Sequence, residues 1–144
     1  MPTRQLLHEY FYREPAGRFA LGHILVPATL DGDFEEYLEG DKVGHWQCDL
    51  ANDNALTWSE RVYEIFGISP GYPIEREEAV ARYREHSRGV LERLRTYAIG
   101  HGFGFILDAE IHPRDAEYKW IRLLAAPIVE DGRVVGLHGL KRAL

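Results

Sequence analysis

The sequence has few of the residues that cross-link a protein or anchor it in a membrane. Its 144 residues include one cysteine, Cys48, so it can form neither an intramolecular disulfide nor a cysteine-based zinc site. No apolar run approaches the roughly 20 residues that span a membrane. Residues 1–15 are too polar for a secretory signal. These absences predict a soluble protein of the cytoplasm.

Basic residues are scarce relative to acidic ones. Lys and Arg together number 17 against 23 Asp and Glu, which gives a net charge of −6. A protein that binds nucleic acid or anionic lipid carries an excess of positive charge on its binding surface. The charge balance therefore argues against nucleic-acid and membrane partners.

Catalytic and metal-binding motifs are also missing. The sequence has no nucleophile elbow, no zinc-protease helix motif, no phosphate-binding loop and no paired-cysteine motif. None of its seven histidines is spaced four residues from another metal ligand within a predicted helix. We therefore expect neither an enzyme nor a metal site.

The chain has the length of one domain and divides into a flank and a core region. Residues 1–43 form an N-terminal flank with two predicted amphipathic helices. The first contains Leu6, Leu7, Tyr10 and Phe11, and the second follows Asp33. Between them, Phe19 to Val26 is predicted to be a strand or an extended segment.

Residues 44–144 read as an α+β domain. Gly44–Leu50 is predicted to be a strand, followed by an Asn/Asp turn and a helix over Glu60–Phe66 that begins after Ser59 and ends at Gly67. Two further helices are predicted over 75–84 and 87–99, the second ending at Gly100. Strands are predicted over 103–111, 118–129 and 133–140, with an Asp131-Gly132 turn between the last two.

Two segments resemble motifs of the PAS sensor domains, namely WSERVYEIFG at 58–67 and KWIR at 119–122. The resemblance covers Gly44–Leu140. It implies a PAS fold, in which an antiparallel five-stranded sheet carries helices on one face. It also implies a sensor or adaptor, either stand-alone or the input domain of a larger protein. Such a module binds a small ligand, a protein partner or both, and regulates a signalling kinase or cyclase. The alternative is a structural dimerisation module with a filled core and no ligand.

The same resemblance implies a pocket between the concave sheet face and the middle helices. Alternation along the strands would place Ala109, Ala125 and Gly136 on the inward face, beside the pocket residues named below. Cys48, Tyr83 and His138 would be the polar groups in an otherwise apolar wall. The predicted pocket residues are Trp46, Cys48, Tyr83, Leu91, Leu94, Leu107, Ile111, Ile121, Leu123 and His138. The alternative is a core in which Trp46 and the phenylalanines fill this space.

No cofactor is expected. Flavin-binding relatives hold the flavin with Asn and Gln amides on the sheet, but the resemblance places Ile111, Ile121 and His138 at those positions. Their reactive cysteine lies on a helix, whereas Cys48 lies on the first predicted strand of the domain. Haem-binding relatives use a histidine on the long middle helix, and here His86 precedes the predicted start of that helix.

The apolar faces of the flank need to be covered, either by the outer sheet face of the same chain or by a second chain. Because flanking helices of PAS domains commonly pair, we expect a homodimer in which residues 1–43 form much of the interface. The alternative is a monomer whose flank covers its own sheet.

Overall fold

A six-stranded antiparallel sheet forms the centre of the protein, which is described by a computed structural model over residues 19–26 and 42–144. The strands are β1 (His23–Leu25), β2 (Val43–Asp49), β3 (Ala55–Trp58), β4 (Gly104–Ile111), β5 (Lys119–Glu130) and β6 (Arg133–Ala143). Their order across the sheet is β1-β4-β5-β6-β2-β3. Three helices, α1 (Glu60–Phe66), α2 (Arg76–Ala81) and α3 (Glu85–His101), connect β3 to β4.

The sheet has one strand more than the five implied by the family resemblance. The additional strand is β1, a flank segment that pairs with β4 through His23 and Ile106. Sequence patterning also gave no strand at Ala55–Trp58, where β3 pairs with β2. A strand of four residues is too short to show a clear alternation. The flank helices predicted within residues 1–18 and 27–41 lie outside the described residues.

The helices follow the predicted order, with differences at their ends. Helix α1 has the predicted bounds, and Gly67 ends it with a φ of 66° in the left-handed region. Ser59 occupies the N-cap position, but its hydroxyl accepts a hydrogen bond from the His45 N–H at 3.0 Å rather than from the helix. Helix α3 continues through Gly100 and ends at Gly102, whose φ is 70°.

The predicted alternation is correct on β4 and β5 but wrong on β6. Leu107, Ile111, Ile121 and Leu123 are in the buried core that the sheet forms with the helices, together with Ala109 and Ala125. On β6, however, the core residue is Leu137 rather than Gly136 or His138. His138 pairs with the exposed Gln47 and lies on the opposite face of the sheet.

A β-bulge explains why the faces of β6 are exchanged. The turn at Asp131-Gly132 pairs Glu130 with Arg133 and Val129 with Val134. The next pair is Ile128 with Gly136, so Val135 is an extra residue on β6. Without the bulge, His138 would pair with Ala125 and face the core. A one-residue shift moves every later side chain of the strand to the other face.

The outer face of the sheet is also covered near β1. Asp108 and Arg122 form a two-point ion pair on this face, with Nε–Oδ1 and Nη2–Oδ2 distances of 2.7 and 2.9 Å, and both side chains are buried. The Phe19 N–H donates to Asp108 Oδ2 at 2.9 Å, and the Phe19 ring lies 5.0 Å from the Arg122 guanidinium. Residues 19–26 therefore dock on the sheet of their own chain.

Candidate functional site

A cavity of about 60 Å³ lies between the inner face of the sheet and helices α2 and α3. Strands β2 and β3 supply one wall, β5 and β6 the floor, and the two helices the roof. Its lining residues are Trp46, Cys48, Leu56, Trp58, Arg76, Ala79, Val80, Tyr83, Leu91, Arg95, Phe105, Leu123, Leu137 and Lys141. The volume is room for roughly four water-sized groups.

Half of the predicted pocket residues line this cavity. They are Trp46, Cys48, Tyr83, Leu91 and Leu123. Leu107, Ile111 and Ile121 are fully buried in the core but do not line the cavity, and Leu94 packs against the core from α3. His138 faces the other side of the sheet, where burial lowers the pKa of its imidazole.

The cavity has an aromatic wall of Trp46, Trp58 and Tyr83, and Phe66 of α1 packs against two of these rings. Trp46 and Trp58 are direct cross-strand neighbours on β2 and β3. The Trp58 ring stacks on Phe66 of α1 with centroids 4.9 Å apart, and Phe66 lies 5.9 Å from Tyr83. Such offset contacts fix aromatic side chains in position. These rings therefore form a rigid, apolar surface facing the end of β6.

Lys141 is a residue of the cavity lining that sequence analysis did not identify. It lies on β6 between Gly44 of β2 and Leu123 of β5, and it is only 6% exposed. Lys141 follows Leu137 by four residues and shares its face of β6, and the bulge at Val135 turns that face toward the core. The pattern of residues 137–144 did not show this, because Lys141 stands in a polar segment near the end of the sequence.

The ammonium group of Lys141 is surrounded by aromatic rings. Its Nζ lies 5.1 Å from the centroid of Phe66, 5.4 Å from those of Trp46 and Trp58, and 5.7 Å from that of Tyr83. These distances are within the range of cation–π attraction. Burial nevertheless dominates and lowers the pKa of Lys141 to about 7, against a weaker raising effect from Cys48.

The cavity lining has basic and donor groups but no carboxylate among the residues that the structure describes. Arg76 is ion-paired with Glu92, and Arg95 donates to Asn54 Oδ1 at 2.8 Å. Trp46 Nε1 is buried and has no hydrogen-bond partner among the described residues. Buried N–H groups are normally paired, so this unsatisfied donor is unusual for a core residue.

The lining does not fit a flavin. No Asn or Gln lines the cavity, the amide positions implied by the resemblance hold buried Ile111 and Ile121, and His138 lies on the other face. Sites for ligands of drug size are usually about 300 Å³ or larger. His86, the histidine compared above with the haem ligand of relatives, is exposed in the first turn of α3 and does not line the cavity. Over residues 19–26 and 42–144, no group of three or more His, Cys, Asp or Glu side chains is placed to hold a metal ion.

Comparison with solved structures identifies the fold. An RNA-binding light-oxygen-voltage receptor superposes with a TM-score of 0.63 and 16% identity over 72% of this chain, which spans 29% of that receptor. The N-terminal domain of a diguanylate cyclase with a PAS/PAC sensor from Marinobacter aquaeolei gives a TM-score of 0.64 and 19% identity, over 71% of this chain and 94% of that one.

A sensory box histidine kinase/response regulator from Burkholderia thailandensis gives a TM-score of 0.63 and 14% identity, over 77% of this chain and 83% of that one. No protein-family model matches the sequence, and no curated protein sequence matches it. The chain has the PAS fold, as the motifs at 58–67 and 119–122 implied. In the part of the chain that the structure describes, no helix has both the length and the apolar character to cross a membrane.

Proposed function

We propose that this chain is a sensor module that binds a small ligand in the cavity beneath α2 and α3, and that the bound ligand regulates a signalling protein. The fold supports this proposal, because similar structures include sensor domains of a diguanylate cyclase and a histidine kinase. A kinase or cyclase is accordingly the partner we propose. The module itself is not proposed to catalyse a reaction, and the cytoplasm is its proposed location.

The observation that carries the proposal is the position of Lys141. A buried amine costs free energy when it is charged, and no carboxylate within the described residues offsets that cost. An ionisable group in a cavity whose pKa is strongly shifted by burial is a candidate functional residue. Trp46 Nε1 adds a second unsatisfied donor in the same wall. A core selected only for packing has no need of either group.

The proposed output is a shift in population between two arrangements of the domain. A ligand in the cavity would contact α2, α3 and β6 together, and it would favour the arrangement in which those contacts are best made. Strand β6 lies at the centre of the sheet and is paired along its length with β2 and β5. A change at Lys141 therefore has a direct path to the outer face of the sheet, which the partner would contact.

Native mass spectrometry on the full chain tests the proposal. We expect a bound small molecule in the wild-type protein that is released on denaturation. The variant Ala79→Leu fills the cavity wall and should lose this molecule, whereas Ala81→Leu, at an exposed position of the same helix, should retain it. If neither the wild type nor either variant carries a bound small molecule, the alternative of a filled dimerisation module is favoured, and the cavity of about 60 Å³ is then a packing defect.

A further inference from the structure

We infer that the ligand of this cavity is a small organic acid whose carboxylate binds the Lys141 ammonium while its short apolar tail lies against the leucines of the wall. This inference rests on the proposed function and names its ligand class. It is drawn from the charge, the donors and the size of the cavity.

The charge of the cavity is opposite to that of the chain. The whole protein carries a net charge of −6, yet the lining contains Lys141, Arg76 and Arg95 and no Asp or Glu. A cavity with one sign of charge and low-dielectric walls concentrates ligands of the other sign. The site is therefore selective for an anion within an acidic protein.

Of the three cations in the lining, Lys141 is the one without a protein partner among the described residues that would compete with a ligand. Arg76 is already paired with Glu92, and Arg95 donates to Asn54. The Lys141 ammonium lies near four aromatic rings and interacts electrostatically with Cys48, and it has no carboxylate partner in the described part of the chain. The Lys141 ammonium has three N–H donors, so a carboxylate in the cavity can accept hydrogen bonds from it. Hydrogen bonds between two charged groups are among the strongest in proteins.

The size and the apolar walls of the cavity determine how long and how polar the remainder of the ligand can be. About 60 Å³ accommodates a short chain but not a fused ring system. Leu56, Leu123 and Leu137 supply an aliphatic surface beside the Lys141 ammonium. Because the cavity is partly open to solvent, the end of a tail can extend beyond the enclosed volume, so a carboxylate with a tail of two or three carbons, such as butyrate, matches both parts.

Calorimetric titration of the full chain with butyrate and with butyramide tests the inference. The two probes have the same shape, and only butyrate is charged. At pH 6 we expect butyrate to bind at least tenfold more tightly than butyramide, since a charge-assisted hydrogen bond contributes about that factor or more. In Lys141→Met the preference should disappear. In Lys42→Met, which removes an exposed lysine, it should remain.

The pH profile gives a readout that a structural role of Lys141 would not produce. Binding that requires the ammonium takes up a proton above the pKa of Lys141, so the affinity for butyrate should fall by up to tenfold per pH unit above about 7. The affinity for butyramide should not fall. The other ionisable groups of the lining are Cys48, Tyr83, Arg76 and Arg95; burial raises the pKa of Tyr83, and the two arginines are engaged by Glu92 and Asn54.

Equal binding of the two probes by wild type overturns the inference and leaves the sensor proposal standing. So does a preference for butyrate that survives in Lys141→Met. Absence of binding of either probe overturns it as well; the ligand observed by native mass spectrometry then decides whether the sensor proposal fails too. The comparison of the two probes on wild type requires no variant, so the test stands even if Lys141→Met does not fold.

Discussion

At the scale of single residues, Lys141 is the least expected feature of the core. A lysine is almost never fully buried unless it is paired. Here its stem crosses the inner face of β6 and its Nζ lies among four rings, which compensate part of the lost hydration. The compensation is incomplete, because burial still lowers the pKa of the ammonium to about 7. The protein therefore gives up stability at neutral pH to keep an amine in the cavity.

That loss of stability predicts how Lys141→Met changes the free energy of unfolding with pH. In the unfolded chain Lys141 keeps its proton up to its ordinary pKa of 10.5, whereas in the folded chain it releases the proton near 7. Between these values the unfolded state binds more protons, so the stability of wild type rises with pH by up to about 1.4 kcal/mol per unit. Lys141→Met lacks this rise. We expect it to exceed wild type most at pH 6 and least at pH 9.

Urea unfolding at pH 6, 7, 8 and 9 measures the difference. Lys42→Met is the control, because an exposed lysine should change stability little at any of these values. The range stops at pH 9 because burial raises the pKa of Tyr83, which removes stability at higher pH as the unfolded tyrosine ionises. A difference between Lys141→Met and wild type that stays constant from pH 6 to 9 would show that Lys141 titrates normally in the fold.

For single residues, sequence analysis identifies those cavity residues whose orientation follows from the pattern of a single strand or helix. Trp46 and Cys48 alternate with exposed His45 and Gln47 on β2, and the structure places both in the cavity wall. Trp58 was recognised as part of a motif but not as a wall residue, since β3 was not identified as a strand. Arg95 was not identified because an arginine on α3 is ordinarily a solvent-facing residue.

At the scale of secondary-structure elements, an element can be predicted from the sequence when the residues that define it are close together in the chain. Helix α1 was predicted with its exact bounds because Ser59, the apolar stripe and Gly67 lie within nine consecutive residues. The inward-facing residues of β6 were not predicted correctly, because the bulge at Val135 depends on the close approach of another strand. A Cβ at Gly136 would lie 2.9 Å from the Cys48 carbonyl oxygen, so this position of β6 tolerates only glycine without a shift.

Two glycine variants test the packing of these elements with opposite expected signs. In Gly139→Ala the new methyl group would meet the backbone carbonyl of Leu124 on β5, and the central strands would have to separate. We expect a loss of about 3 kcal/mol or more in the free energy of unfolding. In Gly100→Ala the methyl group meets nothing, and the position is helical, so a gain of about 0.5–1 kcal/mol is expected.

Chemical denaturation of both variants beside wild type makes the comparison. If Gly139→Ala unfolds at the same denaturant concentration as wild type, the register of β5 with β6 around Leu124 and Ala125 is different from the one described. A destabilised Gly100→Ala would contradict the extension of α3 through this residue.

At the scale of the whole molecule, both faces of the sheet are buried around β4 and β5. The outer face holds Ile106 and Leu124, both without exposed surface, beside the Asp108–Arg122 pair. Strand β1 and Phe19 contact this region, so at least part of the flank covers its own sheet. That part of the flank is therefore engaged within the chain, as in the monomer alternative. The sequence did not decide between the two arrangements, because an amphipathic segment packs equally well on its own sheet or on a second chain.

The dimer remains our expectation for the complete chain, and the exposed apolar side chains of the flank indicate where it would form. Leu21 is 75% exposed and Ile24 is 37% exposed, although both lie in a segment fixed to β4. Burying them on a second chain would add to an interface that needs on the order of 1,000 Å².

We predict that light scattering at tens of micromolar gives twice the mass of the chain, and that Leu21→Glu weakens the dimer at least tenfold. Val129→Glu, at a comparably exposed position beside the β5–β6 turn, should leave it unchanged. A monomeric wild type at that concentration contradicts the dimer, and a dimer insensitive to Leu21→Glu but lost in Val129→Glu moves the interface to the hairpin.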